Sequence, residues 1–418
     1  MRAKIAVSVA AACAISLMAA PSALAAGGDW AAGFHSGEPV VQLQPSSVDT
    51  PTVAAAKSLT YVASDSYPGT VGTTIQRLDA SGTPDPAWSG DGVLALPKVP
   101  QLIALHPNSD GTVLVGGLDA SGDALVGRLR ANGTWDPNFS GDGKVVLPVD
   151  SFQGVRALAV DSRGRVLAAL SSQRTNIEFK SDFVVARLLS NGRLDTSFGL
   201  GGYATVDTRR ADTVRAVAVD SENRVLVMGA TDADPDAAGY TALVVRLRPS
   251  GRIDGTYGKN GRAYPTFGSS TGQVIISGHA DSRDRLTIAL NTDGGDYAVI
   301  RLTAAGRLDK TFGTNGKTGA TCSCSLQAAT WSGGMVLAVT SADPTVLRTI
   351  KVGAAGAFAS GWGAGGTADA DLPTDVTVSG TSLAPGPKGT VIVGARAFQE
   401  DGMGGVTDAL LIGHLAGS

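Results

Sequence analysis

One phrase recurs along this chain of 418 residues, and its repetition limits the possible folds more than any other feature. Residues 187–206 read RLLSNGRLDTSFGLGGYATV, and residues 246–265 read RLRPSGRIDGTYGKNGRAYP. A basic residue opens each copy, and these residues follow one another at similar intervals: Arg77, Arg128, Arg187, Arg246, Arg301 and Lys351. A weaker seventh copy begins at His414. Regular repetition at such intervals is typical of a fold built from identical units.

Other positions of the phrase are as regular as the first. Glycine follows the basic residue by five and by fifteen positions in all six copies, as at Gly192 and Gly202. An aromatic residue follows by eleven positions, at Trp88, Phe139, Phe198, Tyr257, Phe312 and Trp362. Aspartate follows by eight positions in five copies, at Asp85, Asp136, Asp195, Asp254 and Asp309. The copy that begins with Lys351 has Ala359 there, so arginine and aspartate are lost together, which indicates that they act as a pair.

Each unit contains four strand patterns separated by turn residues. In the third unit they are VRALAV, RVLAAL, DFVVARLL and YATVD, and the repeated phrase connects the last two. Four antiparallel strands in a repeat of this length are typical of a β-propeller blade. The sequence therefore predicts an all-β fold, a seven-bladed β-propeller of four-stranded antiparallel blades. Residues 26–418 are expected to form this single domain.

The two ends of the chain are expected to complete one blade together. The last segment, DALLIGHLAGS, reads as a third strand, and residues 29–43 read as the missing turn and fourth strand. In that segment Asp29, either Trp30 or Phe34, and Gly37 match the motif at altered spacing. Such a closure would remove two free sheet edges.

The repeated residues are interpreted as structural rather than catalytic. Gly192 and Gly202 allow turn conformations that other residues avoid. Phe198 is expected to pack between sheets, and Asp195 to bond to Arg187 and to the backbone. The same roles are predicted for the matching residues of the next units, which are Arg246, Asp254, Tyr257, Arg301, Asp309 and Phe312.

With these residues the chain resembles the delta-60 repeat family, bacterial exported β-propeller proteins with the pattern R-L-x-x-x-G-x-x-D-x-x-F-G-x-x-G. The match is strong from Tyr61 to Ala370 and weak at both ends. Because the family has no established activity, the resemblance implies a fold and export but no catalytic residue.

The N-terminus reads as a secretory signal peptide over residues 1–25. Arg2 and Lys4 precede an apolar stretch, and Ala23-Leu24-Ala25 fits a cleavage site. A membrane anchor is the alternative, but the apolar stretch is short for a span of about 20 residues. Without Arg2 and Lys4, 32 basic residues face 37 acidic ones, a net charge of −5. This balance argues against nucleic-acid partners and against anionic membrane surfaces. The signal peptide predicts a secreted protein that is not inserted in the membrane after cleavage.

Two cysteines remain after cleavage, Cys322 and Cys324 in ATCSCSL. In an oxidising compartment they are candidates for a mutual disulfide, although a bridge between positions i and i+2 closes a small strained ring. Reduced or loosely oxidised thiols are the alternative. A metal site would need further ligands, and no histidine lies nearby in the sequence.

Catalytic motifs are matched only in unsuitable contexts. GSSTG at residues 268–272 fits G-x-S-x-G, but a nucleophile elbow requires a strand, a sharp turn and a helix. His106 and His279 close two first-strand segments, where packing or solvent exposure is the simpler role.

Strand order separates two rims of the predicted ring, and the rim without the repeated turns is expected to carry function. On that rim Asp232, Asp234 and Asp236 alternate in TDADPDAAG. Alternating carboxylates are candidates for calcium ligands, but the segment lacks the glycine and distal glutamate of an EF-hand loop. A solvated acidic loop is the alternative, and no other cofactor is expected.

Two functions remain open from the sequence. The favoured one is a secreted binding module whose ligand, an extracellular protein or a glycan, lies on the variable rim. The alternative is an exported hydrolase or lyase acting on a glycan or a phosphoester at the rim or in the central channel, because propellers host such sites without linear motifs.

Overall fold

The computed structural model of the protein describes residues 30–31, 34–35, 39–43, 50–65, 72–149, 154–173, 181–232, 239–268, 272–321, 324–339, 343, 345–373, 376–400 and 406–416. Seven four-stranded antiparallel sheets make up most of this part of the chain. Helical structure within it is limited to short 3-10 turns such as Pro387–Gly389. No helix in the described ranges is long and apolar enough to cross a membrane. The predicted seven-bladed β-propeller is confirmed.

Each sheet is one blade, and its strands occupy four positions from the centre of the ring outwards. The innermost strands are β2 (Thr52–Ala56), β6 (Gln101–Pro107), β10 (Ala157–Val160), β14 (Asp212–Val219), β18 (Gln273–Ala280), β22 (Leu326–Trp331) and β26 (Val376–Pro385). The second strands are β3 (Leu59–Asp65), β7 (Val113–Leu118), β11 (Val166–Gln173), β15 (Val225–Asp232), β19 (Leu286–Thr292), β23 (Gly334–Val339) and β27 (Val391–Glu400). We number the blades 1 to 7 in this order.

The outer half of each blade is built in the same way. The third strands are β4 (Thr73–Leu78), β8 (Ala124–Leu129), β12 (Ser181–Leu188), β16 (Tyr240–Leu247), β20 (Asp296–Leu302), β24 (Val346–Gly353) and β28 (Val406–Leu415). The outermost strands are β5 (Val93–Leu96), β9 (Lys144–Leu147), β13 (Tyr203–Val206), β17 (Arg262–Ala263), β21 (Lys317–Thr321), β25 (Thr367–Asp371) and, in blade 7, β1 (Val40–Leu43).

The innermost strands enclose a central channel. Each contacts the innermost strands of both neighbouring blades, and β2 contacts β26, so that the series of contacts closes into a ring. The apolar core lies between adjacent blades. One cluster, for example, joins Leu167 and Val185 of blade 3 to Val227 and Val245 of blade 4. Since the middle strands are covered on both faces, they read as continuous apolar runs rather than as alternating patterns.

The seventh sheet places β1 beside β28, with Val40 opposite Ile412. Trp30 bridges Leu415, as Leu194 bridges Leu188 in blade 3. Phe34, four residues further on, stacks on the His414 ring with centroids 3.9 Å apart. Of the two aromatic residues that the sequence left open, Phe34 therefore occupies the position of the motif aromatic.

The motif arginine ties each blade to the next one. Arg187 donates from Nε to Asp195 Oδ2 at 2.8 Å, donates from Nη1 to the carbonyl of Pro249 in blade 4, and lies 4.4 Å above the Phe198 ring. Equivalent contacts to an aspartate, a carbonyl of the next blade and a ring are made by Arg77, Arg128, Arg246 and Arg301. The pair expected within one turn is thus also a link between blades.

The first motif glycine allows this close approach. Gly251 has φ +82°, and a Cβ there would lie 2.5 Å from the Gly199 nitrogen and 3.1 Å from the Phe198 ring of blade 3. Gly192 meets Phe139 of blade 2 in the same way. The sequence pattern predicted only a role in turn geometry for this glycine, whereas the structure also requires it for packing between blades.

We expect Asp195→Ala to leave the guanidinium of Arg187, whose side chain is 2% exposed, without its carboxylate. The free energy of unfolding should fall by about 1–3 kcal/mol, measured by urea denaturation. Arg187→Ala combined with Asp195→Ala should cost less than the sum of the single changes. The exposed pair Arg348–Asp369, at 37% and 38% exposure, is the control and should couple by less than about 1 kcal/mol. Additive losses at Arg187 and Asp195 would show that these two residues do not interact.

A second prediction separates backbone strain from crowding between blades. Gly251→Ala and Gly122→Ala place alanine at nearly equal φ, +82° and +84°, but a Cβ at Gly122 has no atom within 4 Å. The strain of about 1 kcal/mol is therefore common to both. Gly251→Ala should lose a further 1–3 kcal/mol, roughly the cost of overpacking. Equal shifts in melting temperature would contradict the packing role.

Candidate functional site

The charged residues of the repeated phrase form ion pairs on one rim of the ring, which we call the scaffold rim. It carries the turns between innermost and second strands, such as residues 161–165, and those between third and outermost strands, such as residues 189–202. Burial works to raise the pKa of Asp195, but hydrogen bonds from Ser197 and the charge of Arg187 hold it below its usual value. Asp161 pairs with Arg165 at 2.6 Å, and Arg165 Nη1 lies 3.7 Å from Asp195. These groups already have partners within the scaffold.

The opposite rim, which we call the variable rim, carries the connections between second and third strands and those between blades. Connections of the first kind range from three residues at 293–295 to seven at 233–239. On the scaffold rim the connection between third and outermost strands keeps fourteen residues in five blades, at 79–92, 130–143, 189–202, 248–261 and 303–316. The variable rim is therefore free of the constraint that the repeat imposes.

The innermost strands share an irregularity near the variable rim. Their pairing shifts by one residue in blades 2, 4, 5, 6 and 7, and the extra residues are Ile103, Arg215, Ile276, Gln327 and Ser379. In blade 3 the N–H of Arg156 donates to the Ala169 carbonyl, although Ala169 is already opposite Ala157. Bulges of this kind re-aim a side chain and are common next to functional sites. Six consecutive blades thus present one residue each at an equivalent position.

Arginine occupies this position in the two adjacent blades 3 and 4. Arg156 is half-buried, and Arg215 is exposed. Burial and then the positive charge of Arg215 lower the pKa of Arg156 to about 10. Burial also lowers the pKa of Arg215, against which only the Tyr240 phenol favours the charged form. Two cations therefore lie close together, one half-buried and the other exposed.

Asp212, three residues before Arg215, does not neutralise the pair. Its side chain has no exposed surface, and its Oδ2 is buried without a hydrogen-bond partner, while Thr208 donates to its Oδ1 at 2.6 Å. Burial, reinforced by the negative charge of Asp182, raises the pKa of Asp212 to about 6. A nearby arginine would lower this pKa. No arginine is among the groups that shift it, so we treat the carboxyl and the two arginines as separate features.

Sequence reasoning did not single out Arg156 and Arg215. The signal that was available is their spacing, which equals the spacing of the motif residues Arg187 and Arg246. Superimposing the third unit on the fourth therefore aligns the two arginines. Their proximity across a blade boundary is decided by the ring.

The candidate metal and thiol residues lie mostly outside the described residues. Asp232 ends β15, where its carbonyl accepts from Arg210 Nη1 at 3.1 Å, but Asp234 and Asp236 are not described. Where the structure describes the chain, it holds no group of three or more potential metal ligands of the His, Cys, Asp or Glu type. Cys324 is disulfide-bonded, and Cys322 lies outside the described residues.

The histidines of the innermost strands take part in packing. His279 stacks on Trp331 of the next blade, with centroids 4.6 Å apart and rings 9° from parallel. Burial lowers the pKa of His279 and of His106, which favours their neutral forms. His279 is therefore engaged between blades 5 and 6.

A cavity of about 960 Å³ lies away from the channel, between the outer strands of blades 1 and 2. Its one large aromatic, Trp135, packs against Gly127 and is covered by Lys144, whose Nζ lies 5.3 Å from the ring centroid. Because the ring is already engaged, the cavity does not offer a free stacking face. The channel position of the two arginines is the stronger candidate.

Comparison with known proteins supports the same fold. The family "Domain of unknown function (DUF5122) beta-propeller" matches residues 175–198, which include β12 and the start of the repeated phrase. No curated protein has significant sequence similarity to the chain. The chain is a β-propeller.

Solved structures resemble the protein in fold alone. Drosophila Semaphorin 2a matches with a TM-score of 0.52 and 8% identity, over 90% of this chain and 74% of that one. A puromycin-hydrolyzing peptidase of Mycobacterium tuberculosis matches with a TM-score of 0.50 and 10% identity, over 92% of this chain and 55% of that one. A polysaccharide lyase, PL25 ulvan lyase, matches with a TM-score of 0.49 and 11% identity, over 91% and 96%. At such identities these similarities say nothing about activity.

The raised pKa of Asp212 predicts a pH dependence of stability. The unfolded chain ionises this carboxyl near its usual pKa of 3.8, whereas the folded protein holds the proton to about pH 6. Its contribution to stability is complete below pH 4 and falls by roughly 3 kcal/mol as the pH rises to 6. Asp212→Asn keeps an acceptor for Thr208 and removes the charge, so it should raise the melting temperature at pH 7.5.

Asp79→Asn is the control with the opposite sign. A hydrogen bond from the Ser81 hydroxyl is the main reason that the pKa of Asp79 is lowered. Any stability that this carboxylate contributes is therefore present at neutral pH and lost on acidification. The difference in melting temperature between wild type and Asp212→Asn is measured from pH 3.5 to 8. A difference that stays constant over this range would contradict the raised pKa of Asp212.

Proposed function

We propose that the protein is an exported β-propeller of the delta-60 repeat kind that acts as a binding module, with its ligand on the variable rim and the adjoining channel. The contrast between the two rims carries this proposal. Arginine, aspartate and aromatic residues of the scaffold rim join neighbouring blades. On the opposite rim the connections between second and third strands differ in length from blade to blade. Rigid scaffolds commonly present binding residues on such loops.

Export and an extracellular ligand belong to the same proposal. Residues 1–25 have the order of a secretory signal, and the acidic balance of the remainder disfavours nucleic acid. An extracellular glycan or protein is therefore the partner class that we propose. Detection in culture medium of a chain that lacks residues 1–25 would test the export part.

The alternative, a hydrolase or lyase acting on a glycan or a phosphoester, needs a proton donor or acceptor that reaches the substrate. Among the described carboxyls, Asp212 is the one whose pKa is raised, to about 6, but its side chain has no exposed surface. A ligand in the channel would not touch it. Burial of this group favours binding over catalysis as the proposed function.

Capture experiments on immobilised residues 26–418 test the binding proposal. Culture medium and solubilised cell-wall material are passed over the wild type and over a variant in which residues 233–238 are replaced by a Gly-Ser segment of equal length. Leu200→Ser is the matched control, since Leu200 is 88% exposed on the scaffold rim. The other connections between second and third strands are replaced in turn in the same way. At least one of these replacements should abolish ligand retention, whereas Leu200→Ser should keep it. Retention that only Leu200→Ser abolishes would place the site on the other rim and overturn the proposal.

A further inference from the structure

The two channel arginines are not required by the fold. At the equivalent bulge, blades 2 and 5 carry Ile103 and Ile276, blade 6 carries Gln327 and blade 7 carries Ser379. Uncharged residues, including isoleucine, therefore satisfy this position in the same architecture. Arginine occupies this position in two neighbouring blades, 3 and 4, whose innermost strands β10 and β14 are in contact.

Neither Arg156 nor Arg215 has a counter-charge among the described residues. Their side chains form no ion pair and no hydrogen bond there, in contrast to the motif arginines, each of which is bound to an aspartate. The acidic residues at the scaffold ends of the same two strands are committed elsewhere, since Asp161 pairs with Arg165 and Asp220 with Arg224, both at 2.6 Å. Asp212 is buried, and neither arginine is among the groups that shift its pKa.

Two adjacent guanidinium groups, one half-buried and one exposed, form an unfavourable arrangement unless an anion joins them. Unpaired charges of one sign repel each other and cost stability, the more so where one of them is half-buried. An oxyanion placed between them would relieve the repulsion and accept several N–H donors, because the planar fork of arginine fits carboxylate, phosphate and sulfate groups. The positive charge lies on one side of the ring, so the site would also orient its ligand.

We propose that Arg156 and Arg215 form an oxyanion subsite in the channel wall between blades 3 and 4, which binds the carboxylate, phosphate or sulfate group of the ligand. The inference rests on the proposed binding function and gives that ligand an anionic group. The ligand enters the channel from the variable rim as a small molecule or as the acidic end of a glycan chain. Tyr240, which interacts electrostatically with Arg215 and is 46% exposed, begins the third strand of blade 4 at the variable rim.

Titration with simple probes tests the subsite. Sodium glucuronate, inorganic phosphate and sodium sulfate are added at constant ionic strength, with glucose as the neutral control, and binding is followed by calorimetry and thermal shift. Wild-type protein should bind at least one of the anions saturably and should not respond to glucose. The preferred anion identifies the group as carboxylate, phosphate or sulfate.

Arg156→Ile and Arg215→Ile copy the residues of blades 2 and 5 and should keep the fold. Each should weaken anion binding about tenfold or more, as expected for lost hydrogen bonds to a charged group. Arg252→Gln removes an exposed scaffold-rim arginine and should leave binding unchanged. Without anion, both isoleucine variants should melt at or above the wild-type temperature, whereas a structural arginine would lower it.

The outcomes separate this inference from the proposed function. Anion affinities equal to wild type in both isoleucine variants, or no saturable anion binding at all, would overturn the subsite. Ligand capture that survives both variants but is lost on replacing residues 233–238 would likewise remove the subsite and leave the binding module standing. Saturable, arginine-dependent anion binding without any capture by the variable rim would support the subsite and contradict the proposed function.

Discussion

The contact of a buried cation with an aromatic ring and with the next blade is the interaction on which the ring depends. Arg187 satisfies its donors with Asp195, Ser197 and the Pro249 carbonyl while it covers Phe198. Hydrogen bonds to charged groups contribute about 1.5–3 kcal/mol each. Because each contact involves two blades, the repeated phrase stabilises the interfaces between blades as well as each turn.

The copies that lack arginine show which part of the contact the fold retains. Lys351 keeps its Nζ 5.1 Å from the Trp362 ring, but an ammonium cannot form the planar fork, and Ala359 replaces the aspartate. His414 stacks on Phe34 and contacts Thr60 of blade 1 through Nε2 at 2.8 Å. Burial lowers the pKa of His414 to about 4, so this contact is neutral near pH 7. The aromatic contact persists where the ion pair is absent.

The channel arginines differ from the motif arginines because their charges are not paired within the described residues. A motif arginine such as Arg187 is buried with its charge paired, whereas Arg156 and Arg215 are placed where an isoleucine serves equally well in blades 2 and 5. Unfavourable electrostatics of this kind are concentrated at functional sites, where stability is given up for binding. The arginines of blades 3 and 4 can be recognised as exceptions because blades 2, 5, 6 and 7 carry uncharged residues at the same bulge.

The sequence alone determined the architecture, because the spacing of Arg187, Gly192, Asp195 and Phe198 and its repetition are local properties of one unit. Seven copies with four strand patterns each are sufficient for the blade count and for the structural role of the phrase. The sequence could not show that Gly251 lies against Phe198, or that Phe34 rather than Trp30 stacks on His414, because these contacts join residues that are distant along the chain. Only the tertiary structure brought Arg156 beside Arg215, because closing the ring places equivalent positions of neighbouring blades side by side. The effect of the Arg215 charge on Arg156 follows from that placement and from nothing in either segment.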